Sequence, residues 1–537
     1  MKKRIGIGFL VITLLFSITA CGKDSKEYKA AIEVLKQQEL QLDGSNEVSE
    51  ELVIALKTAD YQKPKNIIFM IGDGMGYNAT EAAETYYQEK LYKDTLAMYH
   101  LPVQGTSITY SVTNQVTDSA AGGTALSTGF KTGNKIVAKS ADKTKEYKTT
   151  LELAAEKGKS TGIVVTTPVV DATPADFTAH VNLRESYDEI AAQQIEKLTD
   201  GTLDLVLGGG RTYYEGEKNL PSLEKAKKAG VAYTNTWEET QKAKLPVVGL
   251  YAEEEIDTTD ETMPSIAKMT DYALTKLSED ENGFFLMVEG AQIDDFAEYN
   301  NLEMELKEIY DFDCAVAVAM RYVALHPDTV LIVTADHETG DVDYPQGMKS
   351  EDVLKETVYG TELHTYKSVP VLAAGYRTEE LACTQENTDI GIFVASLLGE
   401  EEFGEKSEKQ VVLEHKKGEE ITLKEKKGYQ LPLKEMQEKT KELEAIKVLH
   451  VTLENKSEKV LPLPTLEFTC RKAQYKVEAQ KGYILPGETI QIDYPMPEKA
   501  LNRKLMSNMS DMVLSIEEGT ATYSLKSIDV TSRLGLK

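Results

Sequence analysis

Three short apolar runs in this 537-residue chain end on groups that a buried strand does not otherwise carry. Residues 67–71 run into Gly72-Asp73-Gly74, residues 284–288 into Glu289, and residues 330–334 into Ala335-Asp336-His337. Runs this short and apolar suit strands covered on both faces, as in a parallel sheet. Acid and imidazole groups at their carboxyl ends lie where such a sheet presents ligands. Surface acids capping loops account for any one of these endings, but not for three of them together with their glycines. Further runs at 162–165, 203–207 and 369–373 suit the same kind of buried parallel strand, and helical stretches such as Leu302–Leu325 lie between them. The alternation predicts an α/β fold with a largely parallel central sheet flanked by helices on both faces.

The length exceeds what one core usually fills, so a large catalytic domain with a smaller module is expected. Lys2, Lys3 and Arg4 precede an apolar stretch at 5–16, and Ile18-Thr19-Ala20-Cys21 resembles the lipobox of bacterial lipoproteins. Residues 1–20 are therefore expected to be a signal peptide and Cys21 the lipidated first residue. This implies export and a lipid anchor to the outer face of the cell membrane or envelope; the apolar run is short for a membrane span. Residues 21–65 read as a tether and lead-in segment, with helical periodicity at 28–42 and 50–56 and a break at Pro64. The catalytic domain is expected over 66–400 and a charged connector over 401–446. Alternating segments at 448–453, 475–479 and 489–494 predict an appended C-terminal β-rich, sandwich-like domain over 447–537. Cys314, Cys383 and Cys470 lie too far apart for a metal or redox motif and are expected as buried thiols. The net charge of −28 repels nucleic acid, so none is expected to bind, and an anionic substrate needs a locally positive site.

Asp, Glu and His are ligands for divalent ions; a mixed oxygen and nitrogen set suits zinc, and oxygen alone suits magnesium. With seven histidines in the chain, a site using His337 and His364 must complete its coordination mainly with carboxylates, and more than one ion is expected. Asp294 follows Glu289 by five residues, and Glu298 follows Asp294 by four. If a helix begins near Asp294, that spacing puts Asp294 and Glu298 on one face, able to share an ion. The alternative is that Asp295 and Glu298 only solvate an exposed first turn. Val116-Thr117-Asp118-Ser119-Ala120-Ala121-Gly122-Gly123 suggests a turn opening a helix, with Ser119 where free amides and the helix dipole favour a phosphoryl group. The alternative there is an ordinary serine cap.

Asp118-Ser119-Ala120-Ala121, together with Asp73-Gly74-Met75-Gly76, Asp171-Ala172-Thr173-Pro174, Val288-Glu289-Gly290, Asp336-His337 and His364-Thr365, resembles the alkaline phosphatase motif set in the same order. The resemblance covers residues 66–398. It implies a metal-dependent phosphate monoester hydrolase in which Ser119 accepts the phosphoryl group and Arg184 grips it. It also implies two zinc ions and one magnesium ion. One zinc would be held by Asp73, Asp336 and His337 and would touch Ser119; the second would be held by Asp294 and His364. Magnesium would take Asp73, Thr173 and Glu289, with Asp171 supporting its water shell and Asp118 and Asp295 standing close by.

Two positions depart from the pattern. Glu298 stands where the family usually has a second histidine. A carboxylate there adds negative charge and favours a harder ion, which leaves the identity of the ion at Asp294, Glu298 and His364 open. Asp295 takes a place often filled by a basic or aromatic residue, so Arg184 is the main organic cation facing substrate. His180 is expected to be structural, because no ligand role in the motif reaches it. The sulfatase pattern of x-Pro-x-Arg is missing after Ser119, and phosphodiesterase relatives generally lack the third-metal residues that Thr173 and Glu289 supply here. A catalytically silent lipoprotein that binds phosphate compounds is the reading from another class, kept alive by Glu298. Small phosphate monoesters are the expected substrates, and a homodimer is an open expectation.

Overall fold

Every residue of Asn66–Gly72, here β1, is buried, and its side chains part between two cores: Ile68 and Met70 face one, Ile67, Phe69 and Ile71 the other. A strand that buries both faces must lie between two layers, and this alternation fixes the architecture. The computed structural model describes residues 25–405, apart from 39, 41, 43–47 and 346, together with the backbone of strands between 423 and 524. The expected signal peptide, Cys21 and most of the expected connector lie outside the described residues.

Eleven more strands follow β1 up to residue 386. They are β2 (Val103–Ile108), β3 (Ser160–Pro168), β4 (Leu205–Gly209), β5 (Ala232–Thr234), β6 (Val247–Leu250), β7 (Phe284–Gly290), β8 (Thr329–Thr334), β9 (Glu338–Thr339), β10 (His364–Thr365), β11 (Val369–Ala374) and β12 (Thr384–Glu386). Ten form one sheet in the order β12-β2-β11-β8-β1-β7-β3-β4-β6-β5, while β9 and β10 pair separately. In the large sheet β11 alone is reversed, antiparallel to both β2 and β8. This corrects the expectation of a parallel strand at 369–373. A parallel return requires a crossover to the opposite edge, usually through a full helix. Between β8 and β11 the described chain holds the four-residue helix Val353–Glu356, a single 3₁₀ turn and the β9–β10 pair, so it comes back into the sheet from the edge it left.

Helices cover both faces. Lys26–Leu35, Glu50–Thr58, Tyr77–Tyr87, Ile266–Leu277 and Leu302–Leu325 supply one core; Ser119–Thr128, Thr150–Glu156, Ala172–Thr178, Tyr187–Asp200, Leu220–Ala229 and Asn387–Leu397 supply the other. The segment expected as a tether is, from Lys26 on, part of this body. Tyr28, Ala31, Ile32 and Leu35 form a buried stripe at helical spacing, and Leu52, Ala55 and Leu56 bury beside them. The Tyr28 hydroxyl donates to the Ala324 carbonyl at 2.9 Å, and Arg321 Nη2 donates to the Leu35 carbonyl at 2.6 Å, satisfying a helix terminus with a cation.

Cys314 is buried as expected, but Cys383, just before edge strand β12, is partly exposed; the Cys470 side chain lies outside the described residues. Farther on, Val448–Asn455 pairs antiparallel with Thr489–Pro495, and Thr465–Cys470 pairs antiparallel with Ala473–Val477 and Met509–Ser515.

Candidate active site

Adjacent strands β8, β1 and β7 end side by side and deliver Asp336 and His337, Asp73, and Glu289 to one edge of the sheet. The turn after β1 needs Gly74: its φ is +70°, and a Cβ there would stand 2.7 Å from Oδ1 of Asp294. Gly122 serves likewise in the helix Ser119–Thr128, where a Cβ would meet the Asp336 carbonyl at 2.8 Å. Backbone amides of Gly74 and His337 both donate to Oδ1 of Asp336, at 3.3 and 3.0 Å, which turns its Oδ2 toward His337 Nε2.

Nε2 of His337 is the centre of the first cluster, 3.2 Å from each of Asp73 Oδ1, Asp336 Oδ2 and Ser119 Oγ. All four residues are buried. The cap of the helix Ser119–Thr128 is Asp118, whose Oδ1 accepts from the Ala121 amide at 3.0 Å. Ser119 is thus the first helical residue, not the cap, and its hydroxyl is left to face His337.

Asp73 Oδ1, Asp336 Oδ2, Glu289 Oε2 and Thr173 Oγ1 are buried with no hydrogen-bond partner. Burying carboxylates unpaired is costly, so this donor set fits divalent cations. Without them, burial and mutual repulsion raise the pKa of Asp73 and Glu289 and bring that of Asp336 up to about 6. Burial and the neighbouring His364 push His337 down to about 3, leaving a neutral ring with a lone pair to give. Asp73, Thr173 and Glu289 offer oxygen alone, the chemistry that suits magnesium.

The second cluster lies on the helix Gln292–Glu298. His364 Nε2 is 3.5 Å from Asp294 Oδ2 and 3.5 Å from Glu298 Oε1, so the four-residue spacing brings both acids to one imidazole. Glu298 is therefore turned to the site although its side chain is 45% exposed. The Thr117 carbonyl, 3.0 Å from Nδ1, fixes the His364 ring. Burial lowers the His364 pKa, but the bonds to Asp294 and Glu298 outweigh it and carry it up to about 11, a proton that a divalent ion would displace. The His337 and His364 rings stack at 3.6 Å, and Asp294, His337 and His364 each offer a donor atom within 4.8 Å of the others, so the two clusters adjoin.

Arg184 Nη2 donates to Asp171 Oδ1 at 3.0 Å, and Nη1 is 3.8 Å from Asp118 Oδ2. Burial opposes its charge, but these two acids hold it firmly protonated. Asp118 therefore ties the helix carrying Ser119 to the arginine. Asp295 is exposed on one side, yet the protein around its carboxyl, and then Asp294 and Asp171, raise it to about 7. His180 joins neither cluster: Nε2 lies 2.8 Å from Glu152 Oε1 and Nδ1 lies 3.1 Å from the Ala138 carbonyl. Thr339 is a site residue that sequence reasoning missed. Its Oγ1 is 3.2 Å from His337 Nδ1 and donates to Asp294. No periodic signal could have found it, since His337 lies outside the two-residue strand Glu338–Thr339.

The alkaline phosphatase family model matches residues 64–355, which take in every candidate site residue except His364. Alkaline phosphatase 3 of Bacillus subtilis is 36% identical over 306 residues, covering 55% of this chain and 66% of that protein, so the chain spans just under two thirds of this curated relative. The solved alkaline phosphatase of the Antarctic bacterium TAB5 is 30% identical, with a TM-score of 0.56 over 63% of this chain and 99% of that one. A variant of the TAB5 enzyme solved with Mg bound matches at the same identity, coverage and TM-score. A family model spanning more than half of the 537 residues, on a fold shared along nearly the whole of a solved relative, establishes that this chain belongs to the alkaline phosphatase family.

Proposed function

We propose that the protein hydrolyses phosphate monoesters through a phosphoserine at Ser119. The observation that carries the reading is the placing of the Ser119 hydroxyl 3.2 Å from His337 Nε2, which is itself 3.2 Å from orphaned oxygens of Asp73 and Asp336. On this reading Asp73, Asp336 and His337 hold one zinc. Asp294, His364 and Glu298 hold a second ion, and Asp73, Thr173 and Glu289 hold magnesium, with Asp171 beside it; the Mg-bound TAB5 variant supports magnesium in a relative. When bound, the ions supply the positive charge that makes a serine alkoxide accessible and that offsets charge on the attacking and leaving oxygens.

Ser119 Oγ attacks phosphorus, and the bond from phosphorus to the alcohol oxygen breaks. Arg184, steadied by Asp171 and Asp118, takes two non-bridging oxygens in a fork. Water then attacks the phosphoserine, the bond to Oγ breaks, and inorganic phosphate leaves with Ser119 restored. The lipobox-like residues 18–21 support export and anchoring through Cys21, with small phosphate monoesters met outside the membrane.

Ser119→Ala is expected to cut turnover of a chromogenic phosphate monoester by roughly 10³-fold or more and to leave no phosphoenzyme after quenching. Undiminished turnover would overturn the nucleophile. Assaying a phosphate diester and a sulfate ester alongside tests the ester class, since faster cleavage of either would displace the monoesterase reading.

A further inference from the structure

We infer that the alcohol half of the substrate is an uncharged, flat or aromatic group, seated in a groove beside Ser119; this rests on the monoesterase reading above. The groove has a volume of about 520 Å³, and Tyr110, Val112, Asn114, Gln115 and Tyr366 are among its eight lining residues. That volume lies within the roughly 300–1,000 Å³ of small-molecule sites.

Its position follows from the chain. The strip that forms one wall, 108–115, runs on through Thr117, whose carbonyl is 3.0 Å from His364 Nδ1, to Ser119. The other wall, Tyr366, stands two residues beyond His364. Both walls are thus continuous along the chain with the segments that carry Ser119 and His364, and the contact of Thr117 with His364 joins those segments at the site.

Its chemistry is selective. None of its eight lining residues carries a carboxylate or an ammonium group, in a chain of net charge −28. Among these eight residues a second anionic group on the alcohol would meet no cation, and a cationic alcohol no anion; the nearest charges, Lys131 and Glu386, are engaged with the Tyr110 carbonyl and hydroxyl. What the groove offers is exposed apolar and aromatic surface: Val112 is 57% exposed, Tyr366 39% and Tyr110 38%. Stacking and burial against such surface favour planar groups.

The wall is also set in advance. The Tyr110 hydroxyl donates to Glu386 Oε2 at 2.7 Å, and Lys131 Nζ donates to the Tyr110 carbonyl at 2.8 Å while standing 3.8 Å from its ring centroid. Asn387 Oδ1 accepts from the same Nζ at 2.6 Å, so the lysine is pinned against the ring. A ligand meeting a fixed ring loses little further ordering entropy.

The test compares kcat/KM for a naphthylmethyl phosphate and for ethyl phosphate, whose alcohols are of similar basicity, using the metal-loaded full chain. The ratio of the two is independent of the active fraction, so partial misfolding of a variant cannot mimic the effect. The native protein is expected to favour the naphthylmethyl ester. Tyr366→Ala and Tyr110→Ala are each expected to lower the ratio by about tenfold, and Tyr366→Phe is expected to keep it. Turnover of both esters with a ratio unmoved in both alanine variants overturns the groove alone. Turnover of neither overturns the monoesterase reading, and the role of the groove with it.

Discussion

Glu298 sets the charge of the second donor cluster. Its carboxylate and that of Asp294 face one imidazole, that of His364, at 3.5 Å each, which makes the cluster richer in oxygen and negative charge than one with a second imidazole. Glu298→His exchanges an anionic oxygen for a neutral nitrogen, and the retained metal is expected to shift toward zinc when the protein is loaded from a mixture of zinc, magnesium and manganese. Elemental analysis of both proteins decides it; identical content would remove Glu298 from the ligand set. A different residue contributes to acid stability. Burial would raise the Glu152 pKa, but the bond to His180 and the charge of Lys197 prevail and hold it at about 2, against an ordinary 4.5. A depressed carboxyl contributes stability above its unfolded value and loses it as pH falls through the folded one. Glu152→Gln is therefore expected to cost about 2 kcal/mol at pH 6, with the gap closing as pH falls below about 4.5. His180, raised above its ordinary value by the same pair despite its burial, adds a share that fades as pH climbs through that raised value. Urea midpoints of the two proteins across this range provide the check, and a gap that stays constant in acid would refute the assignment.

At the scale of elements, the helix Leu302–Leu325 links parts far apart in the chain. It receives the two N-terminal helices on one side, and its Glu305 accepts a hydrogen bond from Tyr359 in the segment leading to His364. If the N-terminal helices belong to the body, truncating their packing must be felt globally. Leu52→Ala, at a site 1% exposed, is expected to cost about 3 kcal/mol in chemical denaturation, whereas a mere tether would register nothing. The sequence made β1, β7 and β8 legible because both faces of each are apolar and each ends on a ligand-type residue. It made Asp294 and Glu298 legible because helical spacing is local. Strand direction was not legible at β11, since burial leaves the same pattern whichever way a strand runs; the difference lay in a connection without a long helix. The strand β2 and the edge strands β5 and β12 were too short or too exposed to leave a pattern, and the periodicity at 28–42 showed an apolar stripe without naming the helix that would cover it.

For the molecule as a whole, two cores and a shared polar edge were foreseeable, since strands apolar on both sides require layers on both sides. The meeting of Arg184 with Asp171 and Asp118 was not read from the sequence, because it joins three separate segments and no local period encodes it; the resemblance implied Arg184 only as the grip on phosphate. The reversal of β11 has a bearing on how the two donor clusters are assembled. The excursion 335–368 leaves and rejoins neighbouring strands, with Asp336 and His337 near its start and His364 near its finish. A connection closed in this way holds its two ends side by side. It therefore carries His337 of the first donor cluster and His364 of the second on one stretch of chain, so a change in that stretch reaches both clusters.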